Sequence, residues 1–268
     1  MRSLHELPRL DCLAVEVVLL DIDDTLTTEG RLEPKAYAAL GQLQAAGLKV
    51  VPVTGRPAGW CDLIARFWPV DGVVGENGAF YYRYDHRDRR MRRWQTVSEA
   101  QQRANRVRLD QIAARILAEV PGSALSGDQP FRLADLAIDF CEDVSPLPRA
   151  DVDRIVAIFE AEGATAKVSS IHVNGWFGDY NKLGMARRFL EQELAIHEAE
   201  VVQRTLFVGD SPNDEPMFAA FPLSVGVANV SEHLDRIRHR PAYVTPSRSG
   251  AGFVELTNYL LAARSSAR

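Results

Sequence analysis

The sequence has few cysteines, no long apolar run and no excess of positive charge. Its three cysteines, Cys12, Cys61 and Cys141, are far apart, and no C-x-x-C motif occurs, so we expect neither a disulfide framework nor a cysteine-ligated zinc site. The longest apolar stretch near the N-terminus, residues 13–20, contains Glu16 and is too short for a membrane span or a signal peptide. The net charge of −5 does not favour nucleic acid or an anionic membrane as a partner. These features predict a cytoplasmic protein.

The 268 residues, 46% hydrophobic and 25% charged, have the composition of a globular protein with one large domain or two smaller ones. In the first third, short apolar runs at residues 17–20, 48–53 and 72–74 alternate with helically spaced segments at 34–47 and 60–67. The last third repeats this rhythm. Alternating strands and helices predict a doubly wound, Rossmann-like parallel sheet of the α/β class.

The middle of the chain follows a different pattern. A charged segment with aromatic residues at both ends, residues 82–94, predicts a hairpin. After it we expect a long helix, a strand, a second helix and two strands, at residues 98–120, 136–141, 150–162, 165–169 and 171–176. We therefore predict a core made of residues 1–82 and 180–268, and an inserted α+β cap made of residues 83–179.

Acidic residues crowd the end of the first predicted strand. Asp21 and Asp23 are two positions apart, so in an extended segment both carboxylates point the same way. Such a pair suits a hard cation with oxygen ligands, and one carboxylate could attack an electrophile while the other handles protons. The alternative is an acidic turn in which Asp24 or Thr25 caps a helix.

Three further motifs lie at predicted strand ends or helix starts, where ligands bind to open α/β sheets. Thr54 and Gly55 offer a hydroxyl and backbone N–H groups as an oxyanion seat, although a plain polar turn is an equal alternative. Lys182 could pair with a phosphate and with the aspartates, but most lysines are solvated surface groups. In "GDSPND", Asp210 can reach a metal, and Asn213 and Asp214 can support it from the same turn.

Taken in order, D-x-D-x-T, T, K and G-D-x-x-N-D resemble the signature of the haloacid dehalogenase superfamily. The segments "DIDDTLT", "VTGRP", "GENGA", "NKLGMA" and "GDSPND" resemble those of the family along essentially the whole chain. The insert lies between the second and third motifs, so it resembles the type IIB cap of Cof-like and sucrose-phosphate phosphatases.

This resemblance implies a phosphatase that uses Mg²⁺ and hydrolyses a small phosphorylated metabolite, a sugar phosphate being one candidate. Asp21 would be the nucleophile that forms an aspartyl-phosphate, and Asp23 the general acid and then the general base. Mg²⁺ would be held by Asp21, by the backbone carbonyl of Asp23 and by Asp210. The phosphoryl group would be bound by Thr54, Gly55 and Lys182, while Asn213 and Asp214 would complete the outer shell of the metal.

One position departs from the family pattern, because many relatives have glycine where this chain has Asp24. A third carboxylate could be an outer-shell ligand of the metal, but we predict that it caps the following helix.

Two sets of residues in the predicted cap are candidates for selecting the substrate. Alternation along a strand would place His172, Asn174 and Trp176 on one face, where they could contact a sugar. A packed face with internally satisfied polar groups is the interpretation that we favour. The arginines of segment 83–93 could attract an anionic substrate or RNA, but a solvated hairpin is the simpler interpretation.

Two other functions stay open from the sequence. A phosphomutase on the same fold would return the phosphoryl group to its product. A non-catalytic regulatory protein could retain the core without its activity, although the intact motifs argue against it. For all of these functions we expect a small molecule as partner, neither nucleic acid nor membrane. We also expect the protein to be a monomer or a homodimer.

Overall fold

The computed structural model describes residues 1–265, a mixed α/β chain with three sheets. The strands in chain order are β1 (Arg2–Ser3), β2 (Val17–Leu20), β3 (Lys49–Pro52), β4 (Val73–Gly75), β5 (Phe80–Asp85), β6 (Arg90–Gln95), β7 (Ala124–Leu125), β8 (Leu136–Asp139), β9 (Thr165–Val168), β10 (His172–Trp176), β11 (Thr205–Gly209), β12 (Ser224–Gly226) and β13 (Tyr243–Val244). The α-helices are α1 (Arg9–Ala14), α2 (Pro34–Ala45), α3 (Ala58–Phe67), α4 (Glu99–Glu119), α5 (Arg149–Ala161), α6 (Lys182–Leu194), α7 (Glu198–Arg204), α8 (Glu215–Ala220) and α9 (Ser249–Ser265).

The largest sheet has six parallel strands in the order β1-β13-β12-β11-β2-β3. Every residue of β2 is buried because helices cover both faces of the sheet. Val18 and Leu20 pack into the core that includes residues of α2 and α9, whereas Val17 and Leu19 pack into the core that includes residues of α6. The predicted doubly wound parallel sheet is confirmed.

A second, antiparallel sheet has the order β7-β8-β10-β9. Helices α4 and α5 supply most of its separate apolar core, which includes Leu109, Ile116, Ile155 and Phe159, packed against Val173 of β10. We call residues 99–176, from α4 to β10, the cap unit. The predicted inserted α+β unit is therefore present.

The arginine-rich segment forms the predicted hairpin, β5 and β6, and it pairs with β4 rather than with the cap unit. A parallel bridge from Val53 to Val74 links β4 to the end of β3. The predicted limit between residues 82 and 83 falls inside β5, so we propose that the insert begins after β6.

The prediction that Asp24 caps a helix is wrong. Asp24 lies in a turn with a φ of 55°, in the left-handed region, and the next helix, α2, begins only at Pro34. Four short elements were not predicted from the sequence: β1, α1, β7 and α7. Within residues 1–265, no helix combines the length and the apolar character that a membrane span needs.

Candidate active site

Two neighbouring parallel strands bring distant aspartates to one edge of the large sheet. Strand β2 pairs with β11, and the N–H of Asp21, just beyond β2, donates to the carbonyl oxygen of Val208 at 3.0 Å. Asp210 follows the end of β11. Carboxylate oxygens of Asp21, Asp210 and Asp214 all lie within 4.8 Å of one another, and all three residues are buried. The predicted convergence of the first and last motifs is therefore present in the structure.

Lys182 lies inside this acidic cluster rather than on the surface. It is the first residue of α6, which starts where the side chain of Asn181 accepts the N–H of Gly184. The Lys182 Nζ atom is 2.9 Å from Asp21 Oδ1 and 2.8 Å from Asp214 Oδ1. Burial opposes the charge on Lys182, but the two carboxylates outweigh it and raise the pKa of the ammonium group.

The cluster has more negative than positive charge, since three carboxylates face one ammonium group. Burial and the neighbouring carboxylates raise the pKa of Asp210 well above its usual value. Burial also raises the pKa of Asp21, although Lys182 opposes this. A hard divalent cation with oxygen ligands would compensate the excess charge, so the residues present fit such a metal.

Asp214, predicted as an outer-shell group of the metal, contacts both Lys182 and the backbone of its own turn. Its Oδ2 atom accepts the N–H groups of Asp210 and Ser211 at 3.1 and 3.2 Å, while Oδ1 accepts from Lys182. A Cβ atom on Gly209 would lie 2.5 Å from Asp214 Oδ2, so glycine is required there. Asn213 Oδ1 accepts the Ser211 hydroxyl at 2.7 Å and stays within the turn.

The turn after β3 contains the second motif. Thr54 is fully buried, and its hydroxyl oxygen accepts the N–H of Arg56 at 3.0 Å. Asn77, in the left-handed region at φ 55°, donates its N–H to the carbonyl oxygen of Thr54 and lies over Gly55. The buried Asn77 amide has no hydrogen-bond partner within the described residues. Sequence reasoning missed this residue, although the Asn-Gly pair in "GENGA" signals an unusual backbone.

The Asp23 carboxylate lies outside the acidic cluster and pairs with Arg56 instead. Arg56 Nη2 and Nε lie 2.8 and 2.9 Å from the Asp23 carboxylate oxygens. The same guanidinium group reaches the cap unit, at 2.6 Å from Glu142 Oε1 and 3.3 Å from Asp128 Oδ2. Arg56 therefore joins the core to the cap unit at the position predicted for the general acid.

The three residues predicted as a possible sugar-binding face are buried, and His172 and Asn174 have polar partners inside the protein, whereas the Trp176 indole N–H has no hydrogen-bond partner within the described residues. His172 Nε2 is 2.8 Å from Glu142 Oε2, and Asn174 donates to Asp135 at 2.9 Å. Trp176 stacks on Tyr180 with 5.5 Å between ring centroids. Burial alone would raise the pKa of Glu142, but His172 and Arg56 outweigh it and lower this pKa to about 2.

Glu76 forms a second link between core and cap unit that sequence reasoning missed. Its buried carboxylate accepts four backbone N–H groups: Ala58 of α3 at 3.0 Å, then Leu133, Ala134 and Asp135 of the cap unit at 2.8, 2.6 and 3.2 Å. The sequence signal was available, since Glu76 opens the "GENGA" segment, but nothing in the pattern indicated its partners.

Comparison with known proteins gives a family match over the first part of the chain and a fold for the whole of it. Residues 18–105 match the family model described as haloacid dehalogenase-like hydrolase. No curated protein matches the chain by sequence. Three solved structures are similar to this chain. A Thermoplasma acidophilum protein is 19% identical, with 92% of this chain and 98% of that chain covered and a TM-score of 0.69. A haloacid dehalogenase-like hydrolase from Bacteroides thetaiotaomicron is 14% identical, with 91% and 98% covered and a TM-score of 0.60. The sucrose-phosphatase of Synechocystis sp. PCC6803, in complex with sucrose and phosphate, is 16% identical, with 91% and 97% covered and a TM-score of 0.60.

At these identities the likeness to solved structures shows a shared fold. The family model covers the first two motifs, and the remaining motifs follow in order along that same fold. Residues 18–105 of the chain are thus similar to the haloacid dehalogenase-like hydrolases, and the whole chain shares its fold with solved structures that include a hydrolase of that description.

Proposed function

We propose that the protein is a Mg²⁺-dependent phosphatase that acts on a small phosphorylated metabolite. The observation that carries this proposal is the buried contact of Lys182 with Asp21 and Asp214, beside Asp210. This cluster brings together, at one edge of the sheet, Asp21 as the nucleophile, Lys182 as the group that holds it and Asp210 as a carboxylate for the metal. Similar folds that are described as phosphatases, including the sucrose-phosphatase and a trehalose-6-phosphate phosphatase related protein, support the reaction class.

The reaction would proceed in two displacements. An Asp21 oxygen attacks phosphorus and the ester P–O bond breaks, while Asp23 gives a proton to the leaving oxygen and an alcohol is released. Asp23 then accepts a proton from water, whose oxygen attacks the aspartyl-phosphate; orthophosphate leaves and Asp21 is restored. Lys182 holds Asp21 in place, and Thr54 with the backbone N–H groups around Gly55 would bind phosphoryl oxygens.

The Arg56 guanidinium group donates to both carboxylate oxygens of Asp23, at 2.8 to 3.0 Å, and so fixes the orientation of this side chain. When Asp23 carries a proton, Glu142 and Asp128 remain as partners for Arg56, which already contacts both. The cap unit thereby supplies carboxylates that pair with Arg56 when Asp23, the proposed general acid, is protonated.

Asp21, Asp210 and the backbone carbonyl of Asp23 would hold Mg²⁺, with Asn213 and Asp214 near it as outer-shell groups. Bound there, the ion would neutralise charge on the phosphoryl group and stabilise the displacement. The excess of buried carboxylate charge is the feature of this chain that supports a divalent ion.

The partner in this proposal is a small molecule, met in the cytoplasm by a monomer or a homodimer. The arginines of the hairpin support this over RNA, since Arg83, Arg92 and Arg93 each pair with a carboxylate of the protein. The arginine-rich segment is then a solvated hairpin.

The test is phosphate release from a panel of phosphorylated metabolites, with sugar phosphates and aryl phosphates included, with and without Mg²⁺. Asp21→Asn should abolish release, whereas Asp88→Asn, at an exposed residue of the hairpin turn, is the matched control and should not change it. Activity retained in Asp21→Asn would refute the nucleophile. A phosphomutase would instead convert substrate to an isomeric phosphate with little free phosphate, and a non-catalytic protein would do neither.

A further inference from the structure

A cavity of about 260 Å³ lies between the turn that follows Asp23 and helix α3. Its wall is largely apolar and includes Ile22, Leu32, Trp60, Leu63 and Trp68. Trp60 and Leu63, which line the cavity, keep 42% and 52% of their surface exposed. An occupant of the cavity would remove this apolar surface from water.

One end of the cavity is polar, and its polar groups are those of the proposed acid–base site. Asp23 and Arg56 both line it, and the Arg56 guanidinium lies over the Trp60 ring at 4.4 Å from the centroid. The leaving oxygen of a phosphate ester must lie beside the group that protonates it. The organic group of the ester, which is bonded to the leaving oxygen, would therefore lie next to this cavity.

The size and the lining of the cavity restrict what it can hold. An apolar cavity of about 150 Å³ accepts benzene, and drug-sized ligands occupy about 300–1,000 Å³. The volume of about 260 Å³ thus fits one ring with short substituents. Beyond Asp23 and Arg56, Thr27 is the polar side chain that lines the cavity, so most hydroxyls of a sugar would be buried there without partners.

We propose that this cavity receives the leaving group of the substrate, and that the substrate is a phosphate monoester of a phenol or of a small, largely apolar alcohol. The inference rests on the proposed phosphatase function, in which Asp23 transfers its proton to the leaving oxygen as the P–O bond breaks. The released phenol or alcohol then lies against Trp60 and Leu63.

The test compares kcat/KM for 4-nitrophenyl phosphate with kcat/KM for acetyl phosphate, whose leaving group is too small to need the cavity. Leu63→Gln keeps the volume of the side chain but makes the wall polar, and the exposure of Leu63 means that folding should tolerate it. The ratio of the two constants should fall about tenfold in this variant. Leu117→Gln, at a residue of α4 that is 41% exposed, is the matched control and should leave the ratio unchanged.

Trp60→Ala is the second variant, which removes the aromatic wall and should also lower the ratio. An unchanged ratio in Leu63→Gln and Trp60→Ala, with both proteins folded by circular dichroism, would overturn the assignment of the cavity while leaving phosphatase activity intact. If the wild type hydrolyses neither compound nor any member of the metabolite panel, the proposed function itself has failed, and the assignment of the cavity with it.

Discussion

The contact between Arg56 and Glu142 predicts how stability depends on pH. Glu142 belongs to the cap unit, and it accepts from Arg56 of the core and pairs with His172. These partners hold its pKa at about 2, below the ordinary value of 4.5. A folded-state pKa that is depressed contributes stability above about pH 4.5, and this contribution is lost as the pH falls toward 2.

The size of the effect follows from the two pKa values. Their difference corresponds to at most about 3 kcal/mol, at about 1.4 kcal/mol per pH unit. Because the Glu142 side chain is 25% exposed, solvent screening reduces this to about 1–2 kcal/mol. More than half of it, about 1 kcal/mol, should disappear between pH 6 and pH 3. At about 0.5 kcal/mol per degree for a chain of this length, that corresponds to about 2 °C in Tm.

The assay is calorimetric unfolding of the wild type and of Glu142→Gln at pH 6 and pH 3. The wild type should have the higher Tm at pH 6, and the difference between the two proteins should shrink by about 2 °C at pH 3. Glu160→Gln, at an exposed residue of α5, serves as the control and should give a difference that does not depend on pH. A Tm difference between wild type and Glu142→Gln that is the same at both pH values would refute the reasoning.

Three other substitutions test the core of the site. Lys182→Met leaves the carboxylates of Asp21 and Asp214 buried without their cation, so urea unfolding should show a loss of about 3–5 kcal/mol and activity should fall at least about a hundredfold; wild-type stability would contradict the pairing. Asp210→Asn should raise the Mg²⁺ concentration for half-maximal activity at least about tenfold. In EDTA, however, the Tm of this variant should equal or exceed that of the wild type, because one of three neighbouring carboxylates is removed. A lower Tm in EDTA would contradict the excess of negative charge in the cluster. Glu76→Gln turns an NH₂ group toward two backbone N–H donors and should cost about 2–4 kcal/mol, measured by urea unfolding; a loss below about 1 kcal/mol would show that the clamp is unimportant.

The sequence predicted the large sheet well because its strands are buried on both faces and its helices are long enough to show their period. Strand β2 has the predicted limits, and α2 begins at the predicted Pro34. The elements that were missed are short. Strand β1 has two residues, and its pairing with β13 joins positions about 240 residues apart in the chain, which no local pattern reveals.

The grouping of the site could also be predicted, since parallel neighbouring strands must end at one edge. Which residues of the site contact one another could not be predicted. Arg56 and Glu142 are 86 positions apart, and their contact depends on how the cap unit lies against the core. The four N–H groups that surround Glu76 likewise come from two separate segments. Such contacts are set by tertiary packing, which residue types and spacing do not determine.

The crowded aspartates after β2 show why like charges can persist at such short spacing. Each acid has a different environment: Asp21 contacts Lys182, Asp23 contacts Arg56, and Asp24 lies in a turn with a left-handed backbone conformation. The two cations come from other segments, α6 and the turn after β3, so the repulsion seen in the sequence is compensated by tertiary structure. The sequence predicted that Asp21 and Asp23 point the same way because side chains alternate along an extended segment. In the structure, strand β2 ends at Leu20, before either residue. Beyond that point the two carboxylates contact different cations, which fits the separate roles proposed for them.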